Sequence, residues 1–312
     1  MSPWTVADIP DQTGKRVVIT GATGGLGFET ALALAGKGAE VILTGRNARK
    51  GADALARILG QYPGANVSFE LLDLARLDSV AAFADAFAAR HDRLDVLVNN
   101  AGVMALPERQ VTTDGFEMQL GTNYLGHFAL TAHLLPLLAE APAPRAVQLS
   151  SGAARMGSFH FDDLQLVHGY RPWTAYAQTK LAMLVFALEL QRRSDRAGWG
   201  LLSTAAHPGY ARTDLMANGP GENGFTGRMS AVVGRILSQT AAAGALPQLY
   251  AATSPDARPG GYYGPDGLFE MTGAPTNAGL PRLAKDQAAA LRLWAVSEEL
   301  VGIRFPALVR AA

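Results

Sequence analysis

An α/β fold, with one doubly wound parallel sheet and helices on both faces, follows from three observations on this 312-residue sequence. Short β-branched runs alternate with Ala- and Leu-rich segments of helical spacing, the order that builds right-handed βαβ units. The runs are apolar throughout, as strands covered on both faces require. No repeat or low-complexity linker interrupts the series, and 48% hydrophobic residues suffice for one sizeable core. Residues 14–312 are expected to form a single domain after an N-terminal tail over 1–13.

The elements follow in order. VVIT at 17–20 predicts a strand, and a helix runs from Gly25 to about Lys37. VILT at 41–44 precedes a helix from Arg49 to Leu59, and VSFELL at 67–72 precedes the helix SVAAFADAFAAR. DVLVN at 95–99 precedes a long helix from about Asp114 to Leu138. RAVQLS at 145–150 leads through a loop to a helix from Thr174 to about Ala197, and LLSTAA at 201–206 is a sixth candidate strand. The stretch 214–235 reads as a Gly-interrupted insertion, and the Pro/Gly-rich run 255–281 mostly as loop.

Composition removes several function classes. Net charge is zero, without the excess of Lys and Arg that nucleic acid rewards. There is no Cys, hence no disulfide, thiolate metal site or Cys nucleophile. No apolar run follows a basic N-terminal segment, and no stretch of 18 apolar residues occurs, so no membrane span is expected and a cytoplasmic protein is the default. His127, His160 and His168 have no metal-ligand spacing, so no metal is expected.

The glycines after the first strand point to a dinucleotide. TGATGGLG runs from Thr20 to Gly27 and opens a helix. Gly21, Gly25 and Gly27 allow a tight turn, close approach of a pyrophosphate and packing of helix on sheet, and the helix N-terminus offers free N–H groups to the anion. This context makes the fold Rossmann-type. The second strand ends in LTGRN, Leu43 to Asn47, with no carboxylate to accept from a ribose 2′-hydroxyl. Arg46 can instead fork onto a 2′-phosphate, so the cofactor expected is NADP(H). Arg46 as an ordinary solvated loop residue is the alternative. Asp73, in LLDL, could accept from an adenine amino group, and the small residues of NNAG, Asn99 to Gly102, let a ribose lie close. Each could also be a plain strand-end turn.

Tyr176 and Lys180, in YAQTK, are four apart on a helix and share a face. A tyrosine titrates near ~10 and is a poor base at neutral pH. A neighbouring ammonium favours its phenolate, so it could exchange a proton with a carbonyl or an alcohol. Ser151 ends the fifth strand, where α/β sheets place their chemistry, and could hold a substrate oxygen. Ser150 and Ser151 could equally be a turn or cap.

These segments together resemble the short-chain dehydrogenase/reductase family, in the branch of retinol dehydrogenase-like and WW-domain oxidoreductase-like proteins. TGATGGLG, NNAG, the serine pair and YAQTK occur in family order, Asn123 in GTNYLGHF sits where the family has its tetrad Asn, and HPGYART matches the segment after strand six. The likeness is strong from Gly14 to about Thr213 and weaker through GALPQLYAATSPDARPGGYYGPDG and LWAVSEELVGI. It implies catalysis by Asn123, Ser151, Tyr176 and Lys180. It implies cofactor contacts from Gly21, Thr23, Gly25, Leu26, Gly27, Arg46, Asp73, Leu74, Asn100, Ala101, Gly102, Tyr176, Lys180, Pro208, Gly209 and Thr213. Asn123 would hold a water relaying protons from Lys180. The implied reaction passes hydride between NADP(H) and the carbonyl or alcohol of a small, hydrophobic substrate. Family members often pair through the helices carrying Asn123 and Tyr176, though the C-terminal extension stands against this, so homo-oligomerisation stays open.

Tyr176 follows Ser151 by 25 positions, more than in compact members, and Ala211 stands where Val or Ile is usual. Met104, Met156, Phe159, Trp173, Tyr210 and Met216 are candidate pocket residues, or core. The insertion 214–235 is expected to cover the substrate mouth. A non-catalytic NADP(H)-binding sensor, or a dehydratase or epimerase on the same scaffold, are the rival functions. The cofactor assignment has a direct check. Replacing Arg46 by Ala should weaken NADPH binding about tenfold, the worth of one charge-assisted contact, and leave NADH nearly unchanged; equal losses in a fluorescence titration would remove the 2′-phosphate role.

Overall fold

A computed structural model describes residues 3–211 and 238–306. Thr213, Met216 and the whole 214–235 insertion lie outside the described residues. The sheet has eight strands in the order β3-β2-β1-β4-β5-β6-β7-β8. They are β1 (Arg16–Ile19), β2 (Glu40–Gly45), β3 (Val67–Leu71), β4 (Val96–Asn99), β5 (Arg145–Leu149), β6 (Leu202–Ala206), β7 (Tyr262–Pro265) and β8 (Pro275–Asn277). All neighbours pair in parallel except β8, which returns antiparallel to β7. The chain reverses its progress across the sheet between β1 and β4, which opens a crevice at their carboxyl ends.

Residues of opposite parity feed two cores. Val17, Ile19, Val41 and Leu43 bury against α1 (Gly25–Gly36), α2 (Ala48–Gln61) and α7 (Ala241–Thr253). Val18, Ile42, Leu97 and Ala146 bury against α3 (Leu77–Ala88), α5 (Gly126–Ala139), α6 (Pro172–Ala197) and α8 (Gln287–Val301). That is why the strand runs read as continuous apolar stretches. Trp294 of α8 packs edge-on to Phe128 of α5, centroids 5.1 Å apart, and tilted against Phe186 of α6 at 5.8 Å. The C-terminal helix thereby covers the two helices that carry the candidate chemical residues.

Three expectations need correction. The helix expected from Asp114 begins only at Met118. Gly115 has φ +88° and Thr112 closes a turn onto Phe116, so Asp114 to Phe116 cannot be helical. The Glu117 carboxylate then caps the backbone N–H groups of Gln119 and Leu120. The helix is also not continuous. A short turn α4 (Met118–Leu120) passes into a π turn, Gly121–Leu125, before α5 starts. Finally, the run 255–281 holds β7 and β8. Tyr262 and Tyr263 of β7 are 4% and 2% exposed, so tertiary burial makes a strand where glycine and proline flanks predict loop.

Gly126 marks where α5 meets the loop after β3. A Cβ there would collide with the Leu74 carbonyl oxygen, whereas one at Gly60 in α2 would meet open space. Gly126→Ala should therefore lower stability by about 2 kcal/mol through overpacking. Gly60→Ala should raise it by roughly 0.5–1 kcal/mol. Urea unfolding midpoints moving the same way would refute the packing assignment.

Candidate active site

A cavity of about 800 Å³ lies along the carboxyl ends of the strands. It is walled by the Gly-rich turn after β1, by Gly45 and Arg46 at the end of β2, by Leu72 to Leu74, by Asn100 to Met104, by segments after β5, β6 and β7, and by α6. Gly21, Thr23, Gly25, Leu26, Gly27, Arg46, Asp73, Leu74, Asn100, Ala101, Gly102, Ser151, Tyr176, Lys180, Pro208 and Gly209 all line it. Residues spread over almost 190 positions of sequence converge because the strands end here side by side and α6 lays Tyr176 and Lys180 against the end of β5.

The turn after β1 is a cradle that side chains would fill. A Cβ on Gly21 would lie 2.9 Å from Ala101, and Gly21 and Gly25 have φ of +63° and +52°. Gly24 caps α1 without a side-chain bond, leaving the first-turn N–H groups directed at the cavity. Beyond the turn, Asn47 caps α2 by accepting from the Lys50 N–H at 3.0 Å. This sets Arg46 and Lys50 side by side on the rim. Both are exposed, and neither makes an ion pair among the described residues. A backbone cradle, an uncapped helix N-terminus and two free cations fit a phosphate-bearing dinucleotide. Lys50 was not expected, although its spacing from Arg46 across the cap could have been read.

The Asn pair divides its labour. Asn99 donates inward to Thr131 and Gln148, while Asn100 Nδ2 donates to the Thr20 carbonyl at 2.7 Å and lines the cavity. Both serines line the cavity, but Ser150 Oγ donates to the Lys180 carbonyl oxygen at 2.7 Å, whereas Ser151 Oγ accepts from the Ala153 N–H at 3.2 Å and keeps its own proton to donate.

Asn123 lies behind the cavity wall. Its Oδ1 accepts from Val103 N at 2.7 Å, and its Nδ2 donates to Val103 O at 2.9 Å and Thr179 Oγ1 at 3.1 Å. Its carbonyl oxygen, released by the π turn, pairs with His127 Nδ1 at 2.8 Å. The other ring nitrogen of His127 meets Thr20 Oγ1 at 2.8 Å. Burial pushes the His127 pKa down to about 3, so the imidazole is neutral. His160 and His168 lie far from this pair, near the surface loop after β5.

The electrostatics of Tyr176 reverse the sequence expectation. Burial pushes its pKa up to about 12, and the Ser151 hydroxyl offsets only part of this. Lys180 Nζ lies 5.8 Å from the Tyr176 ring centroid and donates to the Leu149 carbonyl at 3.0 Å. Burial pushes Lys180 itself down to about 8. Desolvation of both groups thus outweighs the help an ammonium gives a phenolate.

Met104, Met156, Trp173 and Tyr210 line the cavity, and Trp173 stands edge-on to Tyr176 at 5.9 Å. Phe159 does not; it packs on Phe161 at 5.3 Å and against the core. Unforeseen lining residues are Arg155, His207, Phe269, Glu270 and Met271. HPGYART contained His207, but no local pattern marks the other four.

Comparison with known proteins agrees with this geometry. A family model described as short chain dehydrogenase matches residues 15–222. The chain belongs to the short-chain dehydrogenase/reductase family. It is 39% identical to human (Homo sapiens) retinol dehydrogenase 13 over 299 residues, which is 95% of this chain and 87% of that protein. It is 38% identical to Mus musculus polyprenol dehydrogenase over 300 residues, 94% and 86% of the two chains. An uncharacterized protein from Mycobacterium paratuberculosis superposes with a TM-score of 0.81 at 42% identity, covering 98% of this chain and all of that one. A Shigella flexneri short-chain dehydrogenase solved with NADP superposes at 0.61 with 25% identity, covering 81% and 97%. The chain is thus a hydride-transfer oxidoreductase of the retinol dehydrogenase-like branch. Among the described residues, no helix is long and apolar enough to cross a membrane.

Lys180 supplies a stability test independent of turnover. A lysine whose folded pKa falls from 10.5 to about 8 is costly to keep charged below pH 8, and the cost fades as pH rises toward 10.5. At 1.36 kcal/mol per unit this is about 3 kcal/mol, less about 1 for the bond to Leu149. Lys180→Met should therefore be about 2 kcal/mol more stable than wild type at pH 7, with the gain gone by pH 10–11. A destabilised variant in urea at pH 7 would contradict a desolvated lysine.

Proposed function

We propose that this protein is an NADP(H)-dependent alcohol dehydrogenase or carbonyl reductase acting on a small hydrophobic substrate. The observation that carries the reading is one cavity holding Ser151, Tyr176 and Lys180 at one end and Arg46 with Lys50 at the other. Arg46 and Lys50 would take the 2′-phosphate, the turn from Gly21 to Gly27 the pyrophosphate, and Asp73, Leu74 and Asn100 to Gly102 the adenosine half. Pro208 and Gly209 would flank the nicotinamide, with Thr213 beyond them. When bound, NADP(H) supplies or accepts the hydride.

The chain's own residues manage the proton and the geometry. Ser151 donates a hydrogen bond to the substrate oxygen and fixes the carbonyl beside Tyr176. The Tyr176 hydroxyl, neutral because its pKa stands at about 12, gives its proton to that oxygen during reduction. In the reverse direction the phenolate must form first and takes the alcohol proton. Lys180 in its charged form favours the phenolate and holds the nicotinamide ribose. Asn123 is a positioning residue: its carboxamide holds Val103 and Thr179 and so sets the wall beside Lys180. Asn123 Oδ1 and the Asn123 backbone carbonyl each keep a second lone pair with which to hold a relay water toward Lys180. Met104, Met156, Trp173 and Tyr210 give an apolar approach that favours a hydrophobic substrate.

A spectrophotometric panel of aldehydes and ketones with NADPH tests the reading directly. Tyr176→Phe should lower kcat by at least about a thousandfold, within the span of positioned proton transfer, while NADPH still binds. Alcohol oxidation by the wild type should climb from pH 6 to 9, because more phenolate forms below about 12; carbonyl reduction should show no loss from phenol ionisation there. Near-normal turnover of Tyr176→Phe, or oxidation that falls with pH, would reject Tyr176 as the acid/base.

A further inference from the structure

The turn joining β7 to β8 holds two adjacent non-glycine residues in left-handed backbone, Phe269 at φ +53° and Glu270 at φ +56°. Residues carrying a Cβ adopt this region only at a cost that glycine avoids, and they persist there when surrounding bonds leave no alternative. Phe269 recovers nothing by burial, since its ring is 83% exposed. A strained backbone presenting a bare aromatic side chain at a cavity is a combination that stability alone does not explain.

The bonds that hold the turn converge on the Glu270 carboxylate. One oxygen accepts from Arg155 at 2.7 Å and from the Gly279 N–H at 3.0 Å. The other accepts from His207 Nε2 at 2.9 Å. His207 Nδ1 in turn accepts from the Gly209 N–H at 3.3 Å, so its single proton faces Glu270 and the neutral ring suffices. Tyr210 N–H donates to the Met271 carbonyl at 2.8 Å. Arg155 follows β5 and His207 follows β6, so one carboxylate ties together three strand ends around the mouth. Arg155 is held one turn from Ser151, in the short helix Gly152–Met156.

We infer that Glu270 is a positioning residue that clamps the β7–β8 turn at the mouth, and that Phe269, presented by this clamp, selects substrates by the apolar bulk they carry beyond the reacting carbonyl. The inference rests on the carbonyl–alcohol reading above. The chemistry sits deep, with Tyr176 6% exposed, whereas Phe269, Met156 and Trp173 form an exposed apolar rim on the same cavity. A substrate whose oxygen reaches Ser151 and Tyr176 must run its remaining chain past that rim. A short carbonyl compound reaches the same hydroxyls without touching it.

Three variants and two substrates test the inference, with propanal as the short carbonyl and decanal as the long one. Phe269→Gly relieves the left-handed strain and removes the ring. It should melt at or above the wild-type temperature and bind NADPH equally well. It should keep kcat/KM for propanal and lose about tenfold for decanal, the worth of one aromatic contact, chiefly through KM. Glu270→Ala should show the same selective loss, and Glu270→Gln, which can still accept from Gly279, a smaller one. Calorimetric binding of decan-1-ol to the NADPH complex reads the rim without turnover and should weaken in step in Phe269→Gly and Glu270→Ala. Equal losses for both aldehydes, or unchanged decan-1-ol affinity, would overturn the inference. A wild-type enzyme that binds NADPH and decan-1-ol but reduces no carbonyl would instead defeat the carbonyl reading, with the calorimetric series still deciding the role of Phe269.

Discussion

The structure depends on what happens to two backbone N–H groups where β4 ends. The sheet reverses at the β1–β4 boundary, and beyond Asn99 the chain must leave the ladder. Buried donors released there need acceptors. The Thr20 hydroxyl, fully buried at the end of β1, accepts from both Asn100 N and Ala101 N at 2.9 Å. It also meets His127, whose second nitrogen reaches the Asn123 carbonyl. One side chain therefore couples the Gly-rich turn, the floor under Ala101 and the π turn before α5. The close approach of Gly21 to Ala101 is feasible only because this link draws the strand ends together while the crevice stays open above them.

Around this crevice the protein spends stability on chemistry. A lysine and a tyrosine are buried together, each pushed away from its charged form. The hydrophobic helices that bury them, α5 and α6 under α8, are the same ones that give the domain its largest core. Packing and electrostatics thus oppose each other at Tyr176 and Lys180. The strained turn at Phe269 and Glu270 repeats the pattern at the mouth. An ion network across three strand ends holds backbone that its own residues disfavour.

Polar groups at the cavity separate into two tiers. Ser151, Tyr176, Arg46 and Lys50 present side chains to the cavity. Thr20, Asn99, Asn123, His127 and Ser150 hold the walls through side-chain bonds to protein partners, with the buried Asn99 Oδ1 left without one. Within NNAG, the neighbouring asparagines fall into opposite tiers, because successive side chains at a strand end point to opposite sides.

By itself the sequence determined the βα alternation, the two-faced burial of the strands, the glycine cradle, the cationic end of β2 and the Tyr176–Lys180 face. Each is a local matter: a period of 2 or 3.6, a missing Cβ or an i,i+4 spacing is written in consecutive residues. The short strands β7 and β8 were not legible, since their glycines and prolines read as loop until Tyr262 and Tyr263 are buried beside β6. The π turn was not legible either, because His127 and Thr20 stabilise it from 107 residues apart. Only the tertiary structure decided which serine hydroxyl is tied to the Lys180 carbonyl, that Asn123 stands behind the cavity wall, and that Glu270 reaches Arg155 and His207. It also reversed the sign of the Tyr176 shift: spacing reports that a cation is near, but desolvation depends on everything packed around the pair, and no run of neighbouring residues encodes that.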